Sequence, residues 1–199
     1  MGIQGIAGVL GVLLGVSGPH PPAGPVAAGA LPAAPLPYLG GPRGCVIPDP
    51  SDTGGCVTAP IAWLTTQVRH RFGDLPVSCW DEHAWNPRSD HPRGRACDYT
   101  IGRIGAFPDR TDVRRGWELA RWLRANARAL RVHYVIFQGR IWSWEHNRAG
   151  WRRYLGGGVY DPADVTGGHY DHVHVSTVDK RPEWLFAAAA EPDGSRQKP

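Results

Sequence analysis

The chain has 199 residues, a hydrophobic fraction of 42% and nine tryptophans, which suffices for one ordinary domain with its own core and excludes a wholly disordered chain. Of its 22 basic residues only Lys180 and Lys198 are lysines, and with so much Ala, Gly and Pro the arginine excess reads as coding bias. The formal charge of +4 suits an anionic surface such as a cell-wall polymer. Nucleic acid would satisfy the same charge, but no basic helix, zinc-finger spacing or RNA-binding aromatic motif accompanies it, so nucleic acid is not expected as a partner.

Residues 1–30 read as a signal peptide. The stretch 3–16 is mostly apolar and uncharged, too short for an ordinary membrane span, and Ala28-Gly29-Ala30 is a small-x-small cleavage pattern. No Lys or Arg precedes the apolar run, which leaves an uncleaved anchor or a different start as alternatives. Residues 31–57 are rich in Pro and Gly without a period, as expected of a linker that carries a disulfide loop.

From Thr58 the pattern turns helical. Pro60 suits a first turn, Ile61, Leu64, Val68 and Phe72 share a stripe, and Gly73 stops the helix. Residues 77–80 and 95–101 are strand candidates; in the second, Cys97, Tyr99 and Ile101 face one way and Ala96, Asp98 and Thr100 the other. A second helix, capped by Asp109 or Thr111, carries Val113, Trp117, Ala120, Leu123 and Leu130 on its apolar side, with arginines on a solvated face. Strands 133–137 and 141–144 flank Gln138-Gly139-Arg140 as a hairpin, and strand 172–176 closes the domain. Residues 58–186 thus form the domain and 187–199 a disordered tail. The order of elements predicts a small α+β fold with a mainly antiparallel sheet flanked by helices.

Cys45, Cys56, Cys79 and Cys97 allow three pairings, among which sequence cannot choose. Sequential pairing is preferred: Cys45–Cys56 closes a Pro/Gly-rich loop, and Cys79–Cys97 ties a short strand to the one carrying Asp98. A zinc site made of the four cysteines is disfavoured because no C-x2-C pair exists. Disulfides fit a protein that is secreted or held at the cell envelope.

Two segments carry chemistry. In His169-Tyr170-Asp171-His172-Val173-His174-Val175-Ser176, strand alternation puts His172, His174 and Ser176 on one face. Two imidazoles at this spacing suit metal binding or proton transfer. In Ser89-Asp90-His91-Pro92-Arg93-Gly94-Arg95-Ala96-Cys97-Asp98, Pro92 and Gly94 let the backbone turn, so that His91 returns towards Asp98. One carboxylate and two imidazoles would give zinc three protein ligands and leave a fourth position for water.

S-x-H-x-x-G-x-A-x-D, filled by Ser89, His91, Gly94, Ala96 and Asp98, resembles the first metal motif of the D-alanyl-D-alanine metallopeptidases. The His-x-His pair is similar to the second motif of that superfamily, which includes murein endopeptidases, lysostaphin-type enzymes and hedgehog domains. His169-x-x-His172-x-His174 is particularly similar to the murein endopeptidase version. The resemblance covers residues 58–178 and implies that His91, Asp98 and His174 bind zinc, that His172 assists catalysis, and that His169 joins it. The implied fold is hedgehog/D,D-peptidase-like. The implied activity is zinc-dependent hydrolysis of a peptide bond in peptidoglycan stem peptides, by a D,D-carboxypeptidase or endopeptidase. The other use of the architecture is an inactive zinc- or disulfide-stabilised domain that docks on the cell wall or a protein. Carboxypeptidases of the vancomycin-resistance type carry a catalytic Glu three residues before the last ligand, where this chain has Asp171. His172 is therefore favoured as base, with Asp171 as an alternative or as its partner.

Arg88, Arg93 and Arg95 adjoin the metal loop, where Arg88 or Arg95 would pair with a substrate carboxylate or stay solvated. Ser89 would bind substrate or shape the turn. His83 and Trp85 line a groove or pack the loop, and Trp142, Trp144 and Trp151 form a substrate wall or, more often for such residues, core. Glu145 and His146 read as turn residues, His133 as structural.

Overall fold

The Pro/Gly-rich stretch ahead of the first helix lies against the domain and does not hang free. Trp122 Nε1 donates to the Ala33 carbonyl at 3.1 Å and Trp63 Nε1 to that of Leu36 at 3.0 Å. The Tyr38 amide donates to the Ala129 carbonyl at 2.8 Å. A segment without periodicity is thus docked through its backbone by indoles, a contact that no local pattern announces. The computed structural model describes residues 32–179. The chain divides into two units, Met1–Ala30 and Leu31–Pro199, and every described residue belongs to the second. The expected signal peptide and the expected tail 187–199 lie outside the described residues.

Strands β1 (Ile47–Pro48) and β2 (Cys56–Val57) pair antiparallel, and the Cys45–Cys56 disulfide closes them. Between them Asp49, almost buried, accepts hydrogen bonds from the Ser51 amide (2.9 Å), Ser51 Oγ (2.7 Å), Thr53 Oγ1 and the Trp80 amide (2.8 Å). Burial pushes its pKa up, but these donors outweigh it and hold the carboxyl below its usual value. A depressed folded-state pKa contributes stability that is present above the unfolded value of about 4 and is lost as pH falls through the folded one. Asp49→Ala is expected to cost about 2–3 kcal/mol at neutral pH, with the gap to the native chain narrowing in acid. Urea unfolding at pH 7 and pH 3 checks this; an equal gap at both would overturn it.

Helix α1 (Ala59–Phe72) starts with Pro in its first turn, buries Ile61, Leu64 and Val68, and stops at Gly73, φ 77°, as the spacing predicts. Strand β3 (Val77–Ser78) is shorter than expected. The amides of Cys79 and Trp80 leave the ladder for Ser51 Oγ and the Asp49 carboxylate, and without donors the strand ends. Strand β4 (Ala96–Thr100) follows, tied to Cys79 through Cys97. Both disulfides are thus the preferred sequential ones.

Helix α2 (Arg110–Ala125) is capped by Asp109 and not by Thr111: its carboxylate accepts from the Thr111 and Asp112 amides at 2.7 and 2.8 Å. Leu130 falls on a separate helix, α3 (Ala127–Leu130). The break is at Asn126, whose side-chain amide donates to the Trp122 carbonyl and so competes with the backbone. Gly116 lies where α2 meets the sheet. A Cβ there would fall 2.2 Å from Phe137 Cζ, so glycine sets the distance between the layers.

Strands β5 (Val132–Phe137) and β6 (Arg140–Ser143) pair Phe137 with Arg140. The turn is therefore Gln138-Gly139, at φ 49° and 63°, the two-residue left-handed type that matches strand twist, one residue shorter than expected. With β7 (Arg152–Arg153) and β8 (His172–Thr177) the order of the antiparallel sheet is β3-β4-β8-β5-β6-β7. The fold is small, α+β and mainly antiparallel.

Alternation along the central strands sorts the two faces. Cys97, Tyr99, Val135, Phe137, Val173 and Val175 join Ile61, Leu64, Leu119 and Leu123 in one core beneath α1 and α2. The opposite face carries Asp98, Tyr134, Ile136, His172, His174 and Ser176. Among the described residues no helix is long and apolar enough to cross a membrane.

Candidate metal centre

The β4–β8 register sets Asp98 directly opposite His174 and Thr100 opposite His172. His91 reaches the same place from a 3-10 turn (His91–Arg93) that opens on Pro92 and ends on Gly94 in the left-handed region, φ 60°. A Cβ on Gly94 would fall 2.5 Å from the Cys56 carbonyl oxygen and 2.7 Å from Val57 Cα, atoms of backbone that cannot swing aside. Gly94→Ala is expected to cost about 3 kcal/mol or more, from left-handed strain plus overpacking. Denaturant unfolding tests it, and an unchanged midpoint would refute the fit.

One ligand atom each from His91, Asp98 and His174 lies within 4.8 Å of the others. His91 Nε2 is 3.4 Å from His174 Nδ1 and 3.3 Å from Asp98 Oδ2, and Asp98 Oδ1 is 2.8 Å from His174 Nδ1. Donors held 2.0–2.1 Å from a tetrahedral zinc stand roughly 3.3 Å apart, so the set is spaced for such an ion. The outer ring nitrogens are engaged as well. His91 Nδ1 donates to the Cys79 carbonyl at 2.5 Å, and His174 Nε2 lies 3.1 Å from Ser176 Oγ. Partners behind each ring leave the inner nitrogen to present a lone pair. Burial disfavours the His91 cation, yet the Asp98 carboxylate outweighs it and lifts the pKa to about 9. Burial pushes Asp98 up, but the three imidazoles hold it well below its usual range. At His174 burial wins and the pKa falls. The three residues form a group able to hold a metal ion, the donor set expected from the sequence.

His172 stands beside this group, Nε2 3.7 Å from Asp98 Oδ1. Its Nδ1 is 2.7 Å from Asp171 Oδ1. Asp171 is fully buried and also accepts from the Gly105 amide (2.7 Å) and Thr166 Oγ1 (2.8 Å). Burial raises its pKa, but these bonds win and bring it to about 2. It lies behind His172 and does not line the cavity. Of the two roles open to Asp171, the geometry permits that of partner. His169, buried and at φ 57°, sits 4.7 Å ring to ring from His172. Burial, helped by His172 and His174, lowers its pKa well below the usual value, and its Nδ1 has no hydrogen-bond partner.

A cavity of about 380 Å³ opens over these residues, lined also by His83, Ser89, Arg88 and the glycines 156–157. Ser89 Oγ accepts from the His91 amide at 3.2 Å, so it shapes the turn while facing the cavity. Arg95 does not line it; its guanidinium pairs with Asp90 at 2.5 Å. Arg93 donates to the carbonyls of Pro87 and Arg88 and braces the loop. His83 stacks on His91 at 4.9 Å, while Trp85 is exposed beside it. Trp142 is buried, Trp144 and Trp151 pack on the core, and none of the three faces the cavity. His133 pairs with Glu145 at 2.8 Å, and His146 with Ser143 Oγ.

The aromatic wall is instead Tyr134, Tyr154 and Tyr160, which the sequence reading missed. Tyr134 stacks on His174 at 5.3 Å and donates to Asp90 Oδ2. Burial raises the pKa of Tyr154 to about 12, so it stays a neutral hydroxyl. The alternation of Tyr134 and Ile136 in β5 was available as a signal, but not which side of the sheet would face the metal group.

A family model described as the VldE C-terminal domain matches residues 53–169, more than half of the chain, and the chain belongs to that family. The matched stretch contains His91 and Asp98 and ends at His169, so His172 and His174 are placed by the register of β8 alone. No curated protein and no solved structure matches the chain.

Proposed function

We propose that the chain is a secreted, zinc-dependent hydrolase of a peptide bond in peptidoglycan stem peptides. The observation that carries this reading is one cavity holding both a three-donor group, His91, Asp98 and His174, and an imidazole outside that group, His172, backed by a buried carboxylate. The resemblance of both motifs to the D-alanyl-D-alanine metallopeptidases supports the substrate class. The net positive charge supports contact with an anionic wall, and two disulfides with the apolar stretch 3–16 support export.

When bound, zinc polarises the scissile carbonyl and lowers the pKa of water towards neutrality. His91, Asp98 and His174 would hold it, the outer ring nitrogens of the two histidines being fixed by the Cys79 carbonyl and Ser176 Oγ. His172, held at Nδ1 by Asp171, takes a proton at Nε2 and returns it to the leaving amine. His169, kept neutral by burial, stands where a polar group can meet charge developing on the substrate oxygen. The test is release of D-alanine or cleavage of a cross-linked stem peptide by the purified, oxidised domain, with and without a chelator. Zinc-dependent turnover is expected. Peptide binding with no turnover would replace this reading with that of a zinc-stabilised binding domain.

A further inference from the structure

The side of the sheet opposite the cavity carries a basic face. Along α2, Arg110, Arg114, Trp117, Arg121 and Arg124 recur at alternating helical spacing and so share one side of the helix. The Arg121 guanidinium lies over the Trp117 ring at 5.4 Å, and Trp117 meets Phe137 and Trp151 edge-on at 5.4 and 5.1 Å. The face continues onto the sheet. Phe137 stands opposite Arg140, and Arg140 opposite Arg153. Residues opposite each other across antiparallel strands point to the same side, which here is the side of α2. Arg140 and Arg153 are thus cross-strand neighbours of like charge, an arrangement that costs stability. Arg114, Arg121, Arg140 and Arg153 are exposed, and among the described residues no carboxylate lies within ion-pair reach of any of them. The acids along α2 and after β6 are committed elsewhere. Asp109 caps α2, Asp112 pairs with Arg115, Glu145 pairs with His133, and Glu118 lies on the flank of α2 towards Phe72 and Thr100.

We propose that this face docks a linear phosphate polymer of the cell wall, holding the domain by its back while the cavity stays open on the other side of the sheet. A merely solvated face gains from interspersed charges of both signs. This one presents arginine alone, and it joins a helix to a strand pair whose two facing guanidiniums a bound anion would relieve. The planar fork of arginine matches phosphate oxygens bidentately. Residues 110–124 cover about 21 Å of helix axis, which suits a chain of repeating charges and exceeds a single small anion. Trp117 and Trp151 are half-buried, and no exposed large apolar side chain belongs to the face, so it has nothing to insert into a lipid layer. The features that support export favour a wall polymer over nucleic acid. The proposal is independent of whether the cavity hydrolyses a peptide bond.

The experiment measures binding of the oxidised chain to immobilised poly(glycerol phosphate) over a series of salt concentrations. Binding is expected at low salt, with log K falling linearly against log salt as counterions are released. Arg114→Gln with Arg121→Gln, and separately Arg140→Gln with Arg153→Gln, should each weaken it about tenfold or more and lower the salt slope by about two. Arg69→Gln with Arg71→Gln removes the same charge from exposed positions on α1 and should leave the affinity within about twofold. Relief of the like-charged pair should leave the melting midpoint of the Arg140→Gln, Arg153→Gln variant unchanged or raised, so that its lost binding is not lost folding. No binding by the native chain overturns the proposal. An equal loss in the α1 variant overturns it too, since net charge alone would then account for the binding. Tighter binding of duplex DNA than of the polymer at the same salt overturns the choice of partner.

Discussion

His91→Ala abolishes stoichiometric zinc. The oxidised domain is expected to carry about one zinc per chain and the variant none, because two donors from adjacent strands cannot complete a set that needs three protein ligands. The geometry gives the reason for the size of the effect. His91 Nε2 faces both His174 Nδ1 and Asp98 Oδ2 at 3.3–3.4 Å, and it comes from a different segment of the chain than the strand pair. Zinc bound to the native state at a hundredfold excess over its Kd adds about 2.7 kcal/mol of stability, so the native domain should melt higher with zinc than with chelator. The variant should show no such difference. Should His91→Ala fold poorly, Asp98→Asn gives a second reading, since it keeps the side chain's shape while weakening the ligand. Elemental analysis and paired melts decide it. One zinc retained by both variants would remove the centre from His91, Asp98 and His174.

His172→Ala keeps the zinc and loses the rate. A positioned base contributes roughly 10²–10⁴, and a loss of that order in kcat with unchanged zinc content is the expected result. His172 is near the group without being one of the three, its Nε2 3.7 Å from Asp98 Oδ1. Its other nitrogen is held by Asp171, itself fixed by Gly105 and Thr166. Asp171→Asn should therefore lower the rate less than His172→Ala, by loosening the ring and its tautomer and not by removing the base. Loss of zinc in His172→Ala would make it a ligand. A larger loss in Asp171→Asn than in His172→Ala would return the base to Asp171. A pure binding domain would ignore both changes.

Much of this was legible because the signals are local. The stripe Ile61, Leu64 and Val68 and the stop at Gly73 specify α1 by spacing alone, and the alternation in β4 puts Cys97 and Tyr99 on one face and Ala96 and Asp98 on the other. Errors came where side chains took over backbone partners: Ser51 and Asp49 end β3, and Asn126 divides the second helix. Residues 33–38 carried no period, yet they are docked by Trp63 and Trp122, partners 27 and 89 residues away along the chain.

By itself the sequence determined the residue types of the candidate site, His91, Asp98, His172 and His174, which residues of a strand share a face, and the small α+β class, since periods of 2 and 3.6 are written in neighbouring residues. Only the tertiary structure decided that Asp98 and His174 stand opposite each other, that His91 closes the group, that Asp171 lies behind His172, and that Arg88 faces the cavity while Arg95 is spent on Asp90. Strand register, loop closure and the choice of ion-pair partner depend on residues far apart in the chain, and no local pattern encodes a distance between them.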